Sequence, residues 1–351
     1  MTQPNKFTQY FDRGLTGLVN MGNTCFVNTC LQILSHTYEL NDFLNEKKYK
    51  DHLVKKPEAR LLVEWDTLRE LMWSQNCIIE PGKFIQNMQG VAKEKKMDLF
   101  TDYSQNDASE FLIFIVDCFH IGISRPVNMN IKGTVQTNTD NTAIKVYQMI
   151  KEKYSKDYSE VWNMFYGTHI SQIISLTSPI EVLSQTPEPF FTISLSIPNN
   201  KVYPSIYECL DNHVKGEHLT GDNGWFNEKT NMKQDVVKKI SYWAFPNILC
   251  IDIKRFDTLN KKKQTPVSFP LEDLNLSKYT IGYNKNSYVY NLYGIINHHG
   301  NAMGGHYTAF IKNANGQWYE FNDTRVIKMN DTNKLITPYA YCLFYRKKNS
   351  V

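Results

Sequence analysis

No CxxC pair occurs anywhere in the chain, and its seven cysteines form an odd, scattered set. That argues against a thioredoxin-like redox pair, a cysteine-based zinc site and a dense disulfide framework. No apolar run approaches the roughly 20 residues needed to span a bilayer. The opening MTQPNKFTQYFDRG lacks the apolar core of a signal peptide. The expectation is an intracellular protein, cytoplasmic or nuclear, with no membrane partner. Neither sign of charge is in large excess. A formal net charge of +4 over 351 residues is too small to argue for nucleic acid. A mildly basic face still suits an acidic patch on a protein. No internal repeat is evident. What remains is ordinary for a globular chain, with 42% hydrophobic and 21% charged residues. The length suits one large catalytic domain or two lobes sharing a cleft.

The first third reads as helical. Cys25, Phe26, Cys30, Leu31, Ile33 and Leu34 make one apolar stripe, and Leu61, Leu62, Trp65, Leu68, Leu71 and Met72 a second. Pro81 can open a short helix carrying Phe84, Ile85 and Met88. Asp107 and Glu110 resemble a capping box before the run Phe111 to Phe119. Residues 127–143 are polar and read as a loop, and 144–166 as a further helix. From about residue 190 the period becomes two. Strands are expected at 191–197, 249–254, 288–296, 306–312, 317–321 and 340–346. Lys261-Lys262-Lys263 reads as a solvated loop. The coarse picture is a helical N-terminal lobe and a β-rich C-terminal lobe, with a cleft between them.

Two segments carry chemistry. In Gly22-Asn23-Thr24-Cys25-Phe26, turn residues run straight into a helical pattern. A thiol at the first helical turn meets free N–H groups and the positive end of the macrodipole, which favour the reactive thiolate. The same N–H groups can stabilise an oxyanion, and Asn20 can add a side-chain amide donor. The bland alternative is that Cys25 is a small buried hydrophobe, as Cys30 is. In the second segment, Gly304-Gly305 precedes His306, which starts a strand. A loop at 313–316 returns the chain through Gln317 to Phe321. Pairing 312 with 317 sets His306 opposite 323, and a bulge or one-residue change sets it opposite 322. Either Asn322 or Asp323 is therefore placed to hold the imidazole, as a third group orients the base in a nucleophile–base pair. A surface hairpin histidine is the alternative.

Together these segments resemble the ubiquitin-specific protease family. GLVNMGNTCFVNTCLQIL is similar to its Cys box, and NHHGNAMGGHYTAF with WYEFNDTRV to its His box. SQNDASEF resembles the acidic box between them, ILCIDIKRF the family's LxLKRF strand, and VSFPLEDLNL the proline-containing stretch that follows. The motifs fall in family order and span residues 14–346.

The resemblance implies an α+β fold: a papain-like cysteine protease with a helical thumb, a β-rich palm and a β fingers extension. Residues 1–126 would be the N-terminal arm and thumb, and 127–351 the fingers and palm of one catalytic domain, 14–346. It implies Cys25 as nucleophile, His306 as base, Asn322 as third residue with Asp323 as a possible substitute, and Asn20 as oxyanion donor. It implies that Asp107 holds an arginine of the ubiquitin tail. Gln105, Gly304, Gly305 and Tyr307 would line the tail's path, with His298 to Gly305 as a blocking loop. The activity implied is hydrolysis of isopeptide, peptide and thioester bonds at the C-terminal glycine of ubiquitin, by a monomer needing no cofactor. A protease for a ubiquitin-like modifier, an inactive ubiquitin-binding member and a general papain-like peptidase are the alternatives. One departure stands out. Many members bind zinc through two Cys pairs in the fingers, yet the stretches 174–186 and 221–235 contain no Cys. Asn227 and Thr230 occupy one plausible pair of positions, so no metal is expected.

Overall fold

The computed structural model describes residues 7–176, 180–199, 201–302 and 304–348. Five helices build the N-terminal lobe: α1 (Cys25–Ser35), α2 (Tyr38–Asn45), α3 (Pro57–Ser74), α4 (Gly82–Glu94) and α5 (Ala108–Gly122). Both expected stripes are buried, except that Leu71 of α3 faces solvent. Pro81 is the N-cap of α4, one position before the helix. Asp107 caps α5, its Oδ1 accepting from Ser109 N and Glu110 N. Beside this lobe, β1 (Gly17–Leu18) pairs in parallel with β2 (Ile78–Ile79).

Residues 127–143 are not all loop. Helix α6 spans Asn138–Asp157, earlier than periodicity suggests. Its start is set by a capping box between Thr137 and Asp140, hidden in a polar stretch with few apolar markers. Ser159 then caps a separate short helix, α7 (Glu160–Phe165).

The rest is mostly strand. β3 (Gly167–Ser175), β4 (Val182–Phe190), β6 (Glu217–Leu219) and β9 (Val236–Ala244) form a four-stranded sheet in the order β4-β3-β9-β6. A small hairpin, β7 (Trp225–Asn227) with β8 (Met232–Gln234), lies between β6 and β9 in sequence. The large sheet runs β15-β14-β13-β12-β16-β10-β5, with β11 added on β12. Its members are β5 (Thr192–Ser196), β10 (Ile248–Lys254), β11 (Leu274–Asn275), β12 (Val289–Asn301), β13 (Gly304–Lys312), β14 (Trp318–Asn322), β15 (Arg325–Met329) and β16 (Ala340–Lys347). Helix α8 (Ile206–Val214) covers part of it.

Period-two alternation decides which face is buried where. Ile296, Ala309, Ile311, Phe321, Cys342 and Phe344 pack with α1 and α5 in one continuous core. Ile295, Leu343 and Tyr345 pack with α8 in a second core. Helix α1 thus lies on the large sheet, with its N-terminus beside β13 and β14. That placement brings residue 25 to residues 306 and 322.

Candidate active site

The loop at 20–24 is shaped by its own backbone. Gly22 and Asn23 adopt φ of 106° and 53°, the left-handed region that a Gly-Asn pair tolerates. Asn20 Oδ1 accepts from Gly22 N and Thr24 N, both at 3.1 Å. An amide oxygen can only accept, so these bonds fix the orientation of the carboxamide. Its Nδ2 then donates to Asp323 Oδ2 at 3.0 Å. Cys25 follows as the first residue of α1 and is 4% exposed. Thr24 makes no side-chain cap bond.

His306 reaches Cys25 from the sheet, and its Nε2 donates to Asn322 Oδ1 at 2.8 Å. That bond assigns the proton to Nε2 and leaves Nδ1 for the sulfur. The imidazole pKa is pushed up to about 9, first by its hydrogen bond with Cys25, against the opposing effect of burial, then by Asn322 and by the charges of Cys25 and Asp323. A thiol, an imidazole and an amide in sequence form an arrangement that can activate a thiolate and hold the base in one tautomer.

The hairpin register differs from the simplest expectation. Lys312 pairs with Trp318 and Ala309 with Phe321, so the connection spans 313–317 rather than 313–316. Strand pairing ends at Ala309, and Asn322 meets His306 by reaching diagonally along the same face. Asp323 turns away in a left-handed conformation, φ 49°. Its two carboxylate oxygens accept from Asn28 Nδ2, at 2.8 Å, and from Asn20. Its backbone O accepts from Leu18 N at 2.9 Å. A Cβ on Gly17 would lie 2.3 Å from Thr324 O, so this approach of β1 to the turn requires glycine.

Much of the stretch His298 to Gly305 is strand rather than loop: pairing runs from His298↔Tyr307 to Asn301↔Gly304, and Met303 lies outside the described residues. Gln105 Oε1 accepts from Gly305 N at 3.0 Å, and Gln105 Nε2 donates to Gly305 O at 3.1 Å. Asp107 Oδ2 accepts from the hydroxyls of Tyr341 and Tyr307. Gln105, Asp107, Phe256, His298, Gly305 and Tyr307 line a cavity of about 240 Å³.

Two of its neighbours escaped sequence reasoning. Tyr341 carries no motif mark of its own. Lys262 is half-buried rather than fully solvated: its Nζ donates to His298 O at 2.6 Å and to Gly300 O at 3.3 Å, and lies 3.0 Å from His298 Nδ1. Burial, then the charge of Arg255, brings the Lys262 pKa down to about 8. Burial, then Lys262, brings that of His298 down to about 4. A neutral His298 is the form that accepts at Nδ1.

The family model "Ubiquitin carboxyl-terminal hydrolase" matches residues 16–345. The chain belongs to the ubiquitin carboxyl-terminal hydrolase family. Among its relatives, "Ubiquitin carboxyl-terminal hydrolase 2" of Homo sapiens is 34% identical over 345 residues, covering 95% of this chain and 55% of that protein. The Bos taurus protein of that name is 33% identical over 348 residues, with the same coverage. The Gallus gallus one is 34% identical over 343 residues, covering 95% and 93%. The chain thus spans about half the length of the mammalian relatives it matches. Its fold matches the SAGA Ubp8/Sgf11/Sus1/Sgf73 DUB module bound to ubiquitin aldehyde, with a TM-score of 0.71 and 25% identity over 98% of this chain and 72% of that one. A second structure of that module, bound to monoubiquitin, gives a TM-score of 0.72 at 25% identity, over 97% and 70%. The fold is therefore the papain-like α+β fold of this family, with the helical lobe as thumb, the large sheet as palm and the four-stranded sheet as fingers.

In this member, the β7–β8 hairpin at the fingers is held by amide chemistry. Asn227, 7% exposed, donates from Nδ2 to Gln234 Oε1 at 2.9 Å and accepts at Oδ1 from Lys229 N at 3.0 Å. Thr230 Oγ1 donates to Asn227 O.

Proposed function

We propose that the chain is a thiol-dependent deubiquitinating hydrolase acting at the C-terminal glycine of ubiquitin. The observation that carries this reading is the hydrogen-bonded series Cys25–His306–Asn322 within a family member. His306 takes the thiol proton, and the thiolate attacks the glycine carbonyl. The new C–S bond leaves a tetrahedral oxyanion beside Asn20 Nδ2 and the first-turn N–H groups of α1. The oxyanion collapses, the C–N bond breaks, and His306 gives its proton to the leaving lysine amine. His306 then activates a water that releases the acyl group and restores the thiol. Peptide and thioester bonds follow the same path with a different leaving group. No step needs a cofactor.

Asn322 orients the imidazole in this reading. Asp323 acts chiefly by holding Asn20, its charge being the last of the causes that raise the imidazole pKa. Gln105, Gly304, Gly305, Tyr307 and Asp107 line the path of the ubiquitin tail. Asp107 already accepts from two backbone N–H groups and two tyrosines, so an arginine would share its outer oxygen. Residues 1–126 and 127–351 are read as the two parts of one catalytic unit. The reading includes ubiquitin and its conjugates as partners, an active monomer and an intracellular setting. Among the described residues no helix is long and apolar enough to cross a membrane.

Matched fluorogenic conjugates of ubiquitin and ubiquitin-like modifiers test the proposal. Hydrolysis of the ubiquitin conjugate, lost in Cys25→Ala, is expected. Exclusive turnover of a ubiquitin-like conjugate would transfer the chemistry to that modifier, and binding without turnover would make the chain an inactive member.

A further inference from the structure

Strand β14 leaves β13 after the pair Ala309↔Phe321. Beyond that point, toward His306 and Gly305, one edge of β13 has no neighbouring strand among the described residues. A backbone edge without a partner recruits one. Here the partner is a side chain. The Gln105 carboxamide, reaching over from the thumb, satisfies both polar groups of Gly305 at 3.0 and 3.1 Å. Its Nε2 makes a longer third contact with Asn23 Oδ1, at 3.5 Å, on the loop leading to Cys25.

A carboxamide carries the same donor and acceptor as a peptide unit. Gln105 therefore caps the strand edge in the way an extended polypeptide would. Gly305 directly precedes His306. A scissile carbonyl seated between Cys25 and His306 draws its own chain past this edge. The carboxamide and an incoming tail compete for one pair of backbone groups. Gln105 itself is solvent-exposed, so the two bonds are open to exchange. Gly305 cannot yield instead. A Cβ there would lie 2.3 Å from His299 O and 2.4 Å from His298 Nε2, so its backbone is fixed against the hairpin.

We propose that Gln105 is a latch, closing the tail channel of the free enzyme by binding the Gly305 backbone and giving way to the extended tail of the substrate. The proposal rests on the deubiquitinase reading and adds a regulated entry step to it. The free enzyme then consists mostly of molecules with an occupied edge. Apparent affinity is reduced by the closed fraction, as for any protein whose competent state is partly populated.

The test uses the full chain carrying Cys25→Ala, so that ubiquitin binds without turnover, with and without Gln105→Ala. Stopped-flow association should be about 3- to 10-fold faster without Gln105, the range two exposed neutral hydrogen bonds support, with dissociation unchanged. Amide hydrogen exchange at Gly305 should be faster in the free Gln105→Ala protein and equal in the two complexes. Gln105→Glu keeps the acceptor for Gly305 N and loses the donor for Gly305 O, so it should fall between the two. Unchanged association with faster dissociation would make Gln105 a plain tail-binding residue and overturn the latch. Unchanged Gly305 exchange in the free proteins would also overturn it. If ubiquitin binds neither protein, the deubiquitinase reading fails, and the exchange comparison in the free proteins still decides whether the contact closes the edge.

Discussion

Asn20 and Asp323 are joined across the two lobes by a 3.0 Å hydrogen bond between residues 303 positions apart. The bond ties the 20–24 loop of the thumb to the turn that follows Asn322 in the palm. Asp323 also accepts from Asn28 of α1, so one carboxylate holds both the loop and the helix that present Cys25. The consequence is a division of labour: Asn322 touches His306, and Asp323 touches the opposite side of the site.

That division predicts different mutant behaviour. Asn322→Ala should lose roughly 10²–10⁴-fold in kcat through failed imidazole positioning. Asp323→Ala should lose roughly 10²-fold or more, the scale of a missing oxyanion donor. The discriminating measurement is a pair of double-mutant cycles. Asn20→Ala with Asp323→Ala should cost little more than the worse single change, because both remove one interaction. Asn322→Ala with Asp323→Ala should be closer to additive. The reverse pattern would return Asp323 to the imidazole.

The pH dependence follows from His306. Its pKa of about 9 predicts an alkaline limb of kcat/KM near that pH, where the acid for the leaving amine is lost. Cys25→Ala removes the first cause of the rise, and Asn322→Ala a later one. Both should move the imidazole titration, followed by NMR, downward. Stability has a defined sign here. A histidine raised above its ordinary 6.5 stabilises the fold fully below that pH, and the contribution fades as pH rises through about 9. Cys25→Ala should flatten that part of the stability curve. An imidazole unmoved by Cys25→Ala would refute the assigned contact.

Much of this site was legible because its pieces are local. Gly22-Asn23 before an apolar stripe marks a turn into a helix, and that turn is present and left-handed. The alternating run from His306 marks a strand, although β13 begins two residues earlier, at Gly304. What the sequence left open was set by long-range contacts. The choice between Asn322 and Asp323 depended on one residue of loop length, and the diagonal reach of Asn322 is not encoded in spacing. Lys262 lies in a run of three lysines, and only the fold brings the β12 carbonyls over it. Tyr341 reaches Asp107 from a strand far along the chain. The early start of α6 was missed for a different reason: its cap is polar and its first turn offers no apolar period.

The fingers provide a metal prediction. In the β7–β8 hairpin, Asn227 and Thr230 supply hydrogen bonds rather than thiolates. Elemental analysis should find less than one zinc per chain, and a chelator should leave the Tm unchanged. Asn227→Ala should destabilise by roughly 0.5–1.5 kcal/mol in chemical denaturation, the net worth of a hydrogen bond whose partners, Gln234 and the exposed Lys229, can turn to water. A chelator-sensitive Tm would overturn this account.

The family match begins at residue 16, yet the segment before it is built into the molecule. Phe7 and Tyr10 belong to the main core, where Tyr10 stacks on Tyr38 at 4.6 Å and meets Trp73 edge-on at 5.1 Å. The Arg346 guanidinium lies against the rings of Phe7, Tyr38 and Tyr293 and is bound by Glu39 through two contacts. Further along, Asp12 N donates to Asn313 Oδ1, Asn313 Nδ2 donates to Arg13 O, and Arg13 donates to Trp73 O. The arm therefore fastens the β13–β14 turn of the palm to α3 of the thumb. Removing residues 1–13 exposes two aromatic faces, each worth roughly 1.5–3 kcal/mol when buried, and unties the turn at the far end of the strands that carry His306 and Asn322. The truncated chain should be less stable by roughly 3–5 kcal/mol in urea, and its kcat should fall more than its KM rises, because cleft geometry is loosened while the ubiquitin-facing surfaces stay intact. Phe7→Ala with Tyr10→Ala in the full-length chain should reproduce the stability loss and leave the Asn313 tie in place, with kcat largely retained. A truncation as stable and active as the full chain would show that the brace has no mechanical role.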